Sequence, residues 1–179
     1  MESRKSLFQQ GAEWGVPFGI YLSVMASGFI YSDKHVAISA FALAMLPVIP
    51  VLIYRWQKKR FVAEEGMSSF SNLWMLGILI FMCGSLIAST VSYCILQYAR
   101  PDFFYEQARH VIRQYQMAPE LLNEQTQQVV DTLQLMIDRK AVPRNIDFAL
   151  TGFWACSFFG SLVSALLAGL VKMLAKRRT

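Results

Sequence analysis

Asp102, Glu106 and His110 come nearest, by type and spacing, to a set of residues that could do chemistry. They recur every four positions, so a helix would carry two carboxylates and an imidazole on one face. Such a row suits a divalent cation or an acid–base pair. Arg109 and Arg113 offer a plainer role for the same face, a solvated surface laced by local ion pairs, and this is preferred. His35 stands alone in a short polar turn. Cys83, Cys94 and Cys156 lie in apolar stretches, show no CxxC or Cys/His spacing, and are expected to be packing residues. GxSxG, HExxH and Gly-rich phosphate loops do not occur. No catalytic, cofactor-binding or metal-binding residue is therefore assigned, and the chain is expected to be non-enzymatic.

The elements that must position these residues are set by composition. Hydrophobic residues make up 55% of the 179 and charged residues 16%, too little charge for an ordinary water-facing surface. Almost every charge lies outside long apolar runs. The net charge of +5 could suit nucleic acid, but the basic residues cluster at the ends of apolar runs, where anionic lipid headgroups would meet them. A lipid bilayer is the expected partner and nucleic acid is not.

Four runs have the length of a membrane span, at about 14–31, 36–54, 73–98 and 148–171. Trp14 and Tyr31 bracket the first as interface aromatics, and Pro17 falls near its first turn. Val24 and Ala26 resemble a cleavage pattern, but apolar residues continue beyond them. Pro47 and Pro50 predict a kink in the second, tolerated where neighbours re-satisfy the freed carbonyls. The third is longer than a minimal span and is expected to tilt or project. No Asp, Glu, Lys, Arg or His lies well inside any run, which argues against a pump or an ion-coupled carrier.

Orientation follows from the basic residues at the membrane edge. Arg55, Lys58, Lys59 and Arg60 crowd the segment from Arg55 to Gly66, and Lys172, Lys176, Arg177 and Arg178 follow the last run. With Arg4 and Lys5 they place ten of the 17 Lys and Arg on one side, so both termini are expected in the cytoplasm. The region 99–145 then faces outward. Phe104, Val111, Ile112 and Tyr115 follow helical spacing after Arg100-Pro101-Asp102, and Ala118-Pro119-Glu120 interrupts them. Leu122, Val129, Leu133, Met136 and Ile137 form a second stripe opposite Gln127, Gln128 and Asp131. Two such helices can pack as a hairpin, lie on the outer leaflet or meet another protein.

Small residues mark the packing faces. Gly11, Gly15, Gly19, Ser23 and Ser27 share one four-residue spacing, and Gly152, Cys156, Gly160, Ser164 and Ala168 share another. Such rows let helices approach closely, within one chain or between copies. A four-residue row drifts about 40° per step around a helix, so one partner follows it for two or three steps. Gly11, Gly15 and Gly19 are expected to meet one neighbour, and Ser23 and Ser27 another. Gly77, Gly84, Ala88 and Ser92 give the third run a looser face of the same kind.

Several short motifs, taken together, carry a resemblance. They are Gly11–Gly15 opening the first run, the basic end of the second, Gly66-Met67-Ser68-Ser69-Phe70, Pro101-Asp102-Phe103 and the proline-interrupted outer helices. In these the chain resembles a bacterial family known as domain of unknown function family 4199. The resemblance implies a four-span inner-membrane protein with an extracytoplasmic helical insert, and it brings no activity or functional residues.

The expected fold is therefore an all-α integral membrane protein, one membrane domain of four transmembrane helices, with an amphipathic helical insert between the third and fourth. The expected role is an interaction or assembly component of the bacterial inner membrane. Its partner is a second copy or another membrane protein, met through the small-residue faces or the insert. The alternative is an oligomeric channel or a passive carrier of lipid or small solutes, gated by the prolines of the second run.

Overall fold

The computed structural model describes residues 6–32, 36–117, 124–139 and 143–176. Outside them lie the 33–35 turn, the Ala118-Pro119-Glu120 break, Leu122, Arg4, Lys5, Arg177 and Arg178, and nothing is described of the Lys176 side chain. The described residues form α1 (Leu7–Ile30), α2 (Val36–Met45), α3 (Val48–Ala63), α4 (Phe70–Cys94), a π-turn (Ile95–Ala99), α5 (Phe103–Met117), α6 (Glu124–Asp138) and α7 (Asn145–Lys176), with no strand among them.

The first helix starts earlier than its apolar run because a capping box sets its origin. Gln9 N donates to Ser6 Oγ and Ser6 N donates to Gln9 Oε1, each at 3.2 Å. Pro17 consequently sits in the helix interior and not in its first turn.

The second run breaks at its prolines. Pro50 has no amide to donate, and the backbone tightens around it: Ile49 N turns to Leu46 O at 3.2 Å and Leu46 N to Leu43 O at 3.1 Å. That shift withdraws a donor from the Met45 carbonyl. The Tyr21 hydroxyl of α1 donates to it instead. A kink made by proline is thus closed by a side chain from the neighbouring helix.

The basic segment from Arg55, beyond the second run at 36–54, is helix almost to its end. Arg, Gln and Lys are good helix formers, so α3 runs on to Ala63. It stops in a Schellman motif: Gly66 N donates to Phe61 O and Glu65 N to Val62 O, both at 3.0 Å. Glu65 (φ 51°) and Gly66 (φ 79°) both take the left-handed region, the turn that reverses the chain into α4.

Among the described residues three helices are long and apolar enough to cross a membrane: Ala37–Ala63, Phe70–Ala99 and Asn145–Ala175. The first of these joins α2 and α3 across the proline break. α1 is 24 residues long but is not among the three. Its glycines and serines dilute the apolar side chains.

Two compact units divide the chain, Met1–Ser92 with Ala149–Thr179, and Tyr93–Phe148. In the first, Phe18, Leu22, Ile53, Leu76, Ile80, Phe81 and Ala88 form one buried cluster. Phe18 stands edge-on to both Phe81 and Trp56, with ring centroids at 5.1 and 6.0 Å. Trp14 stacks on Trp56 at 6.1 Å and is half-buried. The outer surface stays apolar: Phe41, Leu86, Trp154, Phe158, Leu162 and Leu166 are all exposed.

In the second unit α5 and α6 pack on each other and bury Ile112 and Val130. The π-turn closes through Arg100 N to Ile95 O at 2.9 Å. Arg100 is buried, bonded to Glu106, with its guanidinium 5.2 Å from the centre of the Phe103 ring. Asn145 Nδ2 ties the start of α7 to Leu96 O at 3.1 Å and to Gln97 Oε1 at 3.2 Å.

Tyr21→Phe removes only the donor to Met45 O. The expected loss is about 1 kcal/mol, the scale of interhelical hydrogen bonds in membrane proteins, read as a lower midpoint in detergent unfolding. An unchanged midpoint would mean that the carbonyl finds another donor.

Candidate functional site

The close-packing faces are where the residues singled out from sequence converge. A Cβ on Gly11 would fall 2.6 Å from Leu79 Cβ, on Gly15 2.5 Å from Cys83 Cβ and on Gly19 2.8 Å from Ile87 Cβ. Each step of four along α1 matches a step of four along α4, so the two helices run parallel through three successive notches. Gly84 of α4 returns the notch, since a Cβ there would lie 2.6 Å from Phe18 Cδ1. Ser23 and Ser27 do something else: their hydroxyls bond back to Gly19 O and Ser23 O of the same helix at 2.7 Å. Beyond them Gly28 meets Ala42 and Ile38 of α2.

A second seam joins α4 to α7, which run antiparallel. Gly160 receives the face of the Phe81 ring, with a Cβ there only 2.8 Å from Phe81 Cδ2. The Ser85 and Ser157 hydroxyls share a hydrogen bond of 3.0 Å, and Trp74 Nε1 donates to Ser161 O at 3.1 Å. Gly152 departs from this pattern. Nothing lies within 4 Å of where its Cβ would be, so it is not a packing notch in the described structure.

A buried polar cluster lies at one end of this seam. Gln57 of α3 is fully buried, and its Nε2 reaches Leu73 O and Ser164 O at 3.1 Å and Ser164 Oγ at 2.9 Å. Ser164 Oγ in turn donates to Trp74 O at 3.1 Å. Gly77 leaves the space for this: a Cβ on it would sit 2.6 Å from Ser164 Cβ and 3.0 Å from Gln57 Nε2. One amide and one hydroxyl thus tie three helices.

Arg60 lies one turn beyond Gln57 and corrects an expectation. Instead of anchoring at a headgroup it is 8% exposed, ion-paired to Glu64 at 2.6 Å and bonded to Gln10 of α1. Helix phase decides this, because Ile53, Gln57 and Arg60 fall on one inward face. Arg55, Lys58 and Lys59 point outward and are exposed, as is Lys172. Gln57 hid within the run of charges. The signal that reveals it is the spacing from Ile53 continued through that run.

Asp102, Glu106 and His110 are exposed, and the Glu106 carboxylate takes Arg100 as its partner and not Arg109 or Arg113. Among the described residues no three His, Cys, Asp or Glu side chains are grouped to hold a metal ion.

Packed glycine notches, a shared buried amide and three apolar helices of spanning length define an all-helical protein of membrane-compatible type. The family described as "Protein of unknown function (DUF4199)" matches residues 13–173, and the chain belongs to it. No curated protein and no solved structure matches the chain.

Gly77→Ala is expected to cost about 2 kcal/mol or more, because the new methyl cannot share space with Ser164 without moving backbone. Gly152→Ala, in open space, is expected to stay within about 0.5 kcal/mol of the parent. Thermal unfolding in detergent compares the two, and adding Ser164→Gly to Gly77→Ala is expected to recover part of the loss. Equal effects at Gly77 and Gly152 would remove the cluster from its place in the packing.

Proposed function

We propose that the chain is a four-span bundle of the bacterial inner membrane, with both termini and the turn after α3 on the cytoplasmic side, acting as a non-enzymatic interaction or assembly component. One observation carries this reading: the polarity of the larger unit is turned inside out. Gln57, Ser164, Ser85 and Tyr21 spend their hydrogen bonds on neighbouring helices. Phe41, Trp154, Phe158 and Leu166 are left facing outward. Lipid solvates such a surface and water does not. α1 is included as a span because it lies parallel to α4 through three notches, at the depth that α4 occupies.

The small-residue faces of Gly11, Gly15, Gly19 and Gly160 are filled by side chains of the same chain. A partner is therefore sought elsewhere, and the outer hairpin leaves Met117, Val129 and Leu135 exposed. The passive-carrier alternative requires the proline break to move. The Tyr21 bond across that break favours assembly over gating.

In a variant lacking the native cysteines, a membrane-impermeant maleimide applied to intact cells is expected to label Gln128→Cys and leave Glu65→Cys unlabelled. The reverse pattern would overturn the orientation. Mild cross-linking from position 129 is expected to trap a second protein. A chain that stays monomeric and untrapped would count against the assembly role.

A further inference from the structure

The smaller unit holds two adjoining clefts of different lining. One, about 290 Å³, lies between α5 and α6 and is walled by Phe104, Ala108, Val111, Leu133, Met136 and Ile137, with Pro143. The other, about 440 Å³, mixes the polar side chains of Tyr93, Gln97, Tyr105, Arg144 and Asn145 with the apolar Pro101 and Ile146. Phe104 and Pro143 belong to both, so an apolar cleft opens beside a more polar one across a shared wall. Both volumes fall near the lower part of the range typical of small-molecule sites.

The polar cleft is also placed by its chain positions. Tyr93 and Gln97 belong to the last turns of the spanning helix Phe70–Ala99, and Asn145 and Ile146 to the first turn of Asn145–Ala175. The ends of spanning helices lie at headgroup depth. Arg144 lines this cleft, and its guanidinium already gives Nε and Nη2 to Asp147 at 3.0 and 3.2 Å. A head with no net charge suits a cation so paired better than a simple anion does.

We propose that this unit binds a single-chain zwitterionic phospholipid drawn from the surrounding membrane, with its acyl chain in the apolar cleft and its head against Tyr105, Gln97 and Arg144. A single chain is specified because the apolar cleft, at about 290 Å³, has no room for two acyl chains. The proposal rests on the membrane reading above and not on the assembly role.

The probe is lysophosphatidylcholine with a photoreactive group at the end of its acyl chain, added to the full chain in phosphatidylcholine nanodiscs. Saturable labelling of the peptides 103–117 and 124–138, competed by unlabelled lysophosphatidylcholine, is the expected result. Ala108→Trp fills the cleft and is expected to weaken labelling about tenfold or more, the equivalent of withdrawing a few methylenes from burial. Gln97→Ala is expected to weaken it less; because Gln97 Oε1 also accepts from Asn145 Nδ2, retained helicity and a cooperative melt are the check on folding. Labelling confined to peptides of the spanning helices, competition by oleate alone, or full labelling of a folded Ala108→Trp protein would each overturn the site. Carbonate extraction reports membrane insertion independently, so a protein that stays in the membrane and takes no probe overturns only this inference.

Discussion

One buried amide holds the larger unit together. Gln57 is fully buried although it stands within the run of charges, and burying it without partners would cost several kcal/mol. Its Nε2 finds backbone from two other helices and the hydroxyl of Ser164, so the penalty becomes a three-way tie. Among the described residues its Oε1 has no hydrogen-bond partner, so the amide is fixed by what it donates. This geometry depends on Gly77. With any side chain there, α4 and α7 could not approach closely enough for the amide to reach both.

The same compensation recurs at the proline break and at Arg60. At the break, a carbonyl stripped of its backbone donor is met by a phenol from α1. At Arg60, a guanidinium turned inward by helix phase is met by Glu64 and Gln10. In each case at least one of the partners comes from a neighbouring helix, Tyr21 at the break and Gln10 at Arg60. These cross-ties fix the order of helices more sharply than apolar packing alone does, because lipid tails compete with apolar contacts and not with hydrogen bonds.

Much of the helical layout was legible in the residues because apolar runs and four-residue rows are one-dimensional signals. The Gly11–Gly19 row marked a close approach and its drift limited that approach to a few steps, but which helix filled it was a matter of tertiary arrangement. Arg60 was misplaced by counting basic residues along the chain when its phase relative to Ile53 decided its direction. Gly152 fitted the row of Gly160 and Ser164 by spacing, yet it meets nothing. Pro17 lay near the start of an apolar run, but Ser6 and Gln9 started the helix sooner. The hairpin stripes of 99–145 were visible as patterns, whereas the pair of clefts beside Phe104 needed three dimensions.

The matched fours of α1 and α4 have a mechanical consequence. Three equal notches form a ratchet: sliding α1 by one tooth, about 6 Å, would set Gly15 on Leu79 and Gly19 on Cys83 with no new collision at those teeth. The row therefore supplies nearness without supplying an address. The address comes from Phe18, a single large ring seated over Gly84 and held edge-on by Trp56 and Phe81. A slip of one tooth would lift that ring out of its seat. Phe18 is the pawl, and the glycines are only the teeth.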